Sequence, residues 1–344
     1  MKRSFVLLAA ALLAVCLSAL AQDTARINGS VTDQTGAVIP NVKVTIENPA
    51  RGFKQVMKSD SAGFFALQAV PIGDYIITAE APGFQKLVRS GITLDVGQIQ
   101  RVDLQMTVGQ MTQEVTVSGN VPKVQTETAA VSSVVTNMQI QNLDLNGRNW
   151  VTLALLVPGA SPDNGLDAIH VGVAGNNSIS FNGNRMQYAN WEIDGGNNTD
   201  EGSASTFNTY PNLDTIAEFR ISTSNYGAEM GKHAGANIEL ATKGGTKDFH
   251  GDAFEYVRND AMDANDWFIN RATIGATAPK TALKWNDWGY TLGGPIYIPG
   301  HWNTSKTKAF FFWSEDWRRY RQGNPLSAGA PTALERAGDF SECD

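Results

Sequence analysis

Apolar residues in this chain recur mainly at every second position, in short runs cut by turn residues. Near the start, Ile27, Val31, Val42, Val44 and Ile46 sit at alternating positions within their runs. Asp33-Gln34-Thr35-Gly36 and Pro40-Asn41 separate them, and Ser59-Asp60-Ser61-Ala62-Gly63 precedes a run at 64–67. Pro71-Ile72-Gly73-Asp74 leads into Tyr75-Ile76-Ile77-Thr78-Ala79. A side-chain period of two with frequent turn signals predicts strands, and turns about every ten residues predict a seven-strand β-sandwich over residues 22–107.

The pattern changes in the middle of the chain. An apolar stretch at 151–156 reads as helical. Ile179 and Phe181 then alternate with Ser180 and Asn182, and Asn182-Gly183 predicts a tight turn. Trp191-Glu192-Ile193-Asp194-Gly195-Gly196 repeats the arrangement, with Gly195 in the second turn. Ile238 and Leu240 alternate with Asn237, Glu239 and Ala241, the mark of a half-buried strand. Gly227, Gly231 and Gly235 fall at spacing four, where the backbone needs positive φ or a close approach. This middle stretch, residues 121–247, thus mixes a helical segment with short strands and glycine turns.

Aromatic content rises in the last segment, 248–344. Trp267, Trp285, Trp288, Trp302, Trp313 and Trp317 all lie there. Trp288, Tyr290 and Leu292 alternate with Gly289, Thr291 and Gly293. Apolar on one face and small or polar on the other is what a lipid-facing barrel strand requires. Phe310-Phe311-Phe312-Trp313 suits an aromatic girdle or a buried strand. The fold class is thus mainly β: sandwich, then α+β unit, then the first strands of an incomplete transmembrane barrel.

Composition narrows the function. Hydrophobic content of 42% excludes a disordered tail, and a net charge of -7 argues against nucleic acid as a partner. Lys2 and Arg3, an apolar run at 5–17 and Ala19-Leu20-Ala21 read as an export signal over 1–21, cut between Ala21 and Gln22. Cys16 and Cys343 are the only cysteines, so no disulfide framework is expected. None of His170, His233, His250 and His301 stands in a His-x-x-Glu arrangement. With no nucleophile–base pair, phosphate loop or metal spacing, no enzyme activity, cofactor, metal site or catalytic residue is expected. Asp163, Asn164, Asp167, Asn176, Asn177, Asn197, Asn198, Asp200 and Glu201 fit no calcium-loop template and read as solvated loops.

Three groups of residues carry family resemblances. Gly29-Ser30-Val31-Thr32-Asp33, Asp60-Ser61-Ala62-Gly63-Phe64-Phe65, Pro71-Ile72-Gly73-Asp74-Tyr75 and Ala81-Pro82-Gly83-Phe84 resemble the carboxypeptidase regulatory-like domain, a prealbumin-type sandwich grouped with carbohydrate-binding-like folds. Leu143-Asp144-Leu145-Asn146-Gly147-Arg148-Asn149-Trp150 and the glycine-punctuated stretch 218–246 resemble the plug of Oar-like TonB-dependent outer-membrane receptors. Arg258-Asn259-Asp260 and Leu292-Gly293-Gly294-Pro295-Ile296 resemble the start of their barrel.

The resemblance implies an importer in the outer membrane of a Gram-negative-type bacterium, taking up an unidentified small molecule, peptide or oligosaccharide. It also implies that TonB, in the periplasm, is a partner and that barrel lipid is another. Within the linker 108–120, Glu114, Val115, Thr116 and Val117 look like a Ton box, captured by β-augmentation; the same residues also suit a last sandwich strand. Arg185, Glu218 and Glu229 are the candidate plug–barrel contacts. The residues after position 250 supply about three to five tilted strands, whereas a plugged barrel takes about 22, so a fragment of a longer receptor is expected. The alternative is a secreted or surface-exposed binding or adhesion protein built on the sandwich.

Overall fold

The computed structural model describes residues 24–110, 114–118, 127–163, 166, 177–230, 233–265, 267, 271, 280–323 and 331–341. The export signal with Ala21 and Gln22, both cysteines, and Gly231, Asn164, Asp167 and Asn176 lie outside the described residues. The chain divides into two compact units, one comprising residues up to 251 with 291–314, the other 252–290 with 315–344.

The first unit opens with a sandwich. Its strands are β1 (Thr24–Thr32), β2 (Lys43–Asn48), β3 (Phe53–Lys58), β4 (Phe64–Pro71), β5 (Gly73–Glu80), β6 (Lys86–Leu94), β7 (Ile99–Arg101) and β8 (Leu104–Gln105). One sheet runs β4-β1-β7, with β8 also on β1; the other runs β3-β2-β5-β6 and ends in β9 (Glu114–Ser118). Both β7 and β8 lie parallel to β1 and are separated by Val102 and Asp103, so they form one interrupted edge strand. Counted that way, the sandwich has the seven strands its spacing predicts, and β9 is an addition.

The alternation explains the core. Ala25, Ile27, Val31, Val44, Ile46, Ile77, Ala79 and Ile92 are fully buried and pack between the sheets. The turns are held by aspartate side chains: the Asp33 carboxylate accepts from the Thr35 and Ala37 amides, and Asp60 accepts from Ala62 and Phe64. Each carboxylate takes two amides that no strand partner reaches, as turn aspartates do.

The central body follows. Its sheet runs β10 (Val131–Val135), β15 (Ile216–Ser224), β16 (Asn237–Thr242), β13 (Asn190–Ile193) and β14 (Gly196–Asn197). The short strands β11 (Ala160–Pro162) and β12 (Ile179–Phe181) pair separately. One face is covered by helix α1 (Asn137–Asn142) and a 3-10 helix over Trp150–Leu156, the stretch expected to be helical. Trp150 centres this core: its ring lies 5.8 Å from Trp191, 5.5 Å from Phe207, 5.4 Å from Tyr210 and 6.3 Å from Phe219. Arg148, at a φ of 53°, ion-pairs with Asp214 and fixes the preceding Asn146-Gly147 loop.

The predicted tight turns form. Asn182 and Gly183 have φ of 52° and 75°, and Asp194 and Gly195 have 48° and 77°, the left-handed pairs that short hairpins use. The spaced glycines behave differently. Gly235 is not left-handed; a side chain there would meet the Tyr188 carbonyl at 2.7 Å, so close backbone approach selects it. Gly227 is also not left-handed, and the nearest atoms a Cβ there would meet belong to the Glu229 carboxylate.

One expectation is corrected. Strand β16 is not half-buried. Ile238 and Leu240 enter the aromatic core, while Asn237 and Ala241 on the opposite face are also buried. The Asn237 side chain accepts from Asn190, and Ala241 is covered by the sandwich residues Val96 and Ile72.

The chain then enters a three-stranded sheet of β17 (His250–Asn259), β18 (Leu283–Pro295) and β19 (Phe310–Gln322), in that order. Along β18 exposure alternates: Trp288, Tyr290 and Leu292 are exposed at 37%, 38% and 45%, while Trp285, Asp287 and Thr291 are buried. Within the second unit Trp288 stacks on Trp317 at 6.5 Å, and Arg318 pairs with the buried Asp287 at 3.2 Å. The exposed face is therefore aromatic, and the buried face combines the Asp287–Arg318 pair with Trp285 and Tyr320, whose rings lie 5.8 Å apart. In the first unit Phe310, Phe311 and Phe312 are half-buried and Trp313 is exposed. Helix α2 (Ala333–Arg336) is short, and no helix among the described residues is long and apolar enough to cross a membrane.

Candidate functional site

The residues singled out in the sequence do not gather in one place. Glu114, Val115, Thr116 and Val117 form β9, which lies parallel to β6 in the register Lys86 with Glu114, Leu87 with Val115, Val88 with Thr116 and Arg89 with Val117. Val115 packs against the sandwich core, and Val117 is 44% exposed. The segment is thus the last strand of its sheet. A five-residue parallel pairing is a weak attachment, since parallel ladders are somewhat less stable per residue than antiparallel ones.

Arg185 is exposed at the start of the 3-10 turn Met186–Tyr188. Glu218 reaches the sandwich: its carboxylate accepts from the Val96 amide. Glu229 is exposed at the rim of a cleft.

That junction is the most elaborated place in the first unit, and sequence reasoning missed it. Strand β6 ends at Leu94 and a four-residue turn follows. The Gln98 amide donates to the Asp95 carbonyl at 3.2 Å, the Gln98 side chain accepts from the Asp95 amide at 2.8 Å, and Gly97 sits at a φ of +62°. The turn presents Val96 to the outer face of β15 and β16. Val96 is fully buried with Ile72 and Ala241, and Ala217 packs beside them. Both backbone groups of Val96 are held by charged side chains of β15: Glu218 takes its N–H, and the Arg220 guanidinium donates to its carbonyl. Arg220 also donates to the Ser132 hydroxyl at 2.9 Å. Charge-assisted bonds of this kind are about twice as strong as neutral ones.

Gly97 leaves no room for a side chain. A Cβ would lie 2.6 Å from the Glu239 carboxylate and 3.3 Å from Arg220. Glu239, opposite Arg220 in the β15–β16 register, has one carboxylate oxygen with no hydrogen-bond partner among the described residues. Burial pushes its carboxyl up to about 7; Arg220 pulls the other way, and Glu192 and Glu229 add to the rise. Burial likewise lowers the Arg220 guanidinium from its ordinary value, against Glu239, Asp95 and Glu218. Beside them lies a cleft of about 260 Å³, lined in part by Arg26, Gly97, Glu192, Arg220, Glu229 and Glu239. Among the described residues no set of three or more histidine, cysteine, aspartate or glutamate side chains could hold a metal ion.

The signal for this junction was partly present. Asp95-Val96-Gly97-Gln98 reads as a turn from its residue types. Its partner strand lies more than a hundred residues away, which no local pattern encodes.

Comparison with known proteins now bears on these features. Residues 26–107 match the carboxypeptidase regulatory-like domain, and residues 241–344 match an outer membrane beta barrel domain. The TonB-dependent transporter Oar of Myxococcus xanthus is 24% identical over 322 residues, covering 90% of this chain and 28% of that protein. The chain therefore spans less than a third of the length of this relative. Among solved structures, the siderophore receptor PirA from Acinetobacter baumannii superposes on 48% of this chain and 22% of its own with a TM-score of 0.33 at 16% identity. Hydroxyquinol 1,2-dioxygenase from Pseudomonas putida DLL-E4 covers 26% of this chain and 57% of its own with a TM-score of 0.22 at 13% identity. Neither superposition is close enough to bear on fold or function. This mostly β chain is homologous to the TonB-dependent transporter Oar, with a carboxypeptidase regulatory-like domain before an outer-membrane β-barrel domain.

Proposed function

We propose that this chain carries the sandwich, plug and first barrel strands of a TonB-dependent outer-membrane receptor that imports a small substrate. The observation that carries the reading is the outer-membrane barrel match over 241–344, in a chain homologous to a transporter. The alternation along β18 supports it. Exposed Trp288, Tyr290 and Leu292 suit lipid contact, and buried Asp287 on the other face suits a polar lumen. On this reading the central body is the plug and β9 is the strand that TonB captures. Capture adds a strand to its backbone, so affinity comes from main-chain hydrogen bonds and tolerates varied side chains.

The test has two parts. Cells expressing the protein are fractionated, and the outer membrane is expected to contain it; recovery only from the soluble periplasm or medium would overturn the reading. Binding of a purified TonB C-terminal domain is then compared for the parent and Val115→Pro. Proline removes a ladder donor, so binding is expected to fall at least about tenfold; equal binding would move the TonB contact away from β9.

A further inference from the structure

The strand assigned to TonB is not free in this structure, and its partner is another part of the same chain. Residues 114–118 complete the sheet β3-β2-β5-β6-β9, with five consecutive backbone pairs onto β6. Val115 seats on the sandwich core beside Leu87, which is buried. We propose that the sandwich is a reversible holder for this strand, and that TonB must win β9 from β6 in order to engage it. The inference rests on the assignment of β9 as the TonB strand.

Three features of the pairing support exchange over simple addition of TonB to the outer side of β9. The contact is short and parallel, so it is weak enough to open. Val115 packs against the sandwich core, whereas Val117 is 44% exposed. And β9 is an appended strand: the two sheets already enclose the sandwich core without it, since residues from β1, β2, β4, β5 and β6 supply most of that core. The domain can therefore release β9 and stay folded. A strand that is docked for most of the time has its apparent affinity for a partner reduced by the fraction that is free. The sandwich would then set the threshold for engagement without touching substrate.

A disulfide across the pair tests this. Val88 and Thr116 are direct partners. Their neighbours Leu87 and Val115 turn toward the core, so Val88 and Thr116 share the opposite face, where a staple leaves the core untouched. Neighbouring strands are about 4.8 Å apart, within disulfide reach. The full chain carrying Val88→Cys and Thr116→Cys, with Cys16 and Cys343 replaced by serine, is titrated with a TonB C-terminal domain before and after reduction. The expected result is binding weakened at least about tenfold in the oxidised form and restored by dithiothreitol. Equal binding in the two forms overturns the proposal, because TonB would then be using β9 in place. Loss of binding in both the reduced staple and the parent overturns the TonB assignment itself, and the two failures are thereby told apart. Reduction returns the same molecules to the open form, so a folding defect cannot imitate the expected result.

Discussion

Replacing Glu239 by glutamine should stabilise the central sheet at neutral pH and do nothing at acid pH. The reasoning starts from placement. Glu239 lies under the 95–98 turn of the sandwich, with one carboxylate oxygen lacking a hydrogen-bond partner among the described residues. Arg220 faces it across the strand pair, Glu192 and Glu229 approach from its own side, and Glu218 and Asp95 share the field of Arg220. Burial outweighs the guanidinium, and the carboxyl rises from 4.5 to about 7. Because the folded pKa lies above the unfolded one, the folded state holds a proton that the unfolded state has released across that window. Stability is therefore highest below about 4.5, falls as pH rises toward 7, and is flat above. At 1.36 kcal/mol per pKa unit the full window amounts to about 3 kcal/mol. Relaxation of the site and the loss of one counter-charge for Arg220 reduce what glutamine recovers, to about 1–3 kcal/mol at pH 8. Native-state hydrogen exchange of the Ile238 and Leu240 amides in the full chain, corrected for intrinsic rates, reads this directly. Glu239→Gln should flatten the pH profile and coincide with the parent near pH 4.5. Parallel profiles, or a variant less stable than the parent at pH 8, would refute the argument that desolvation dominates at this carboxylate.

Two further substitutions probe the packing. Gly97→Val combines a left-handed φ with a Cβ 2.6 Å from Glu239, so the turn should leave the central sheet: protection of the Val96 amide is expected to collapse, while amides of the sandwich core such as Ile46 keep theirs. Trp150→Ala removes the ring on which Trp191, Phe207, Tyr210 and Phe219 converge, and should cost the central body about 3–5 kcal/mol by denaturant unfolding, with no change in exchange within the sandwich.

How much of this could be read from the sequence depended on the range of the interaction. Strands and hairpins are local, and they were legible. Asn182-Gly183 and Asp194-Gly195 predicted turns from residue type alone, and both adopt the left-handed pair. The alternation around Trp288 predicted which residues face outward, and exposure follows it. What failed was the inference from alternation to one-sided burial. In β16 the polar positions looked solvated because Asn237 and Glu239 are polar, yet that face is roofed by a turn from another domain. The polar residues under the roof are partnered in part: Asn237 accepts from Asn190, and Glu239 lies in the field of Arg220. Glu218 misled in the same way. Its charge marked it as a contact, but nothing near it in the chain says that the partner is the backbone of Val96.

The two sandwich contacts also share one strand. Strand β6 carries β9 along its edge and runs at its C-terminal end into the 95–98 turn that Glu218 and Arg220 hold. A load applied to β9 while it is paired would therefore act on β6 and, through four residues of turn, on β15. The two attachments differ in kind. The β9 pairing is a short parallel ladder with Val115 packed against the sandwich core, whereas the turn combines a buried valine with charge-assisted bonds on both of its backbone groups. The weaker link should yield first, leaving the sandwich fixed to the central sheet. In a Gly97→Val background that order is lost, and the Val88–Thr116 staple offers the measurement. Pulled from a handle placed after β9, the stapled parent should yield at the turn, and the stapled Gly97→Val chain should do so at lower force. Equal forces would mean that the turn carries no load and that the strand and the junction work independently.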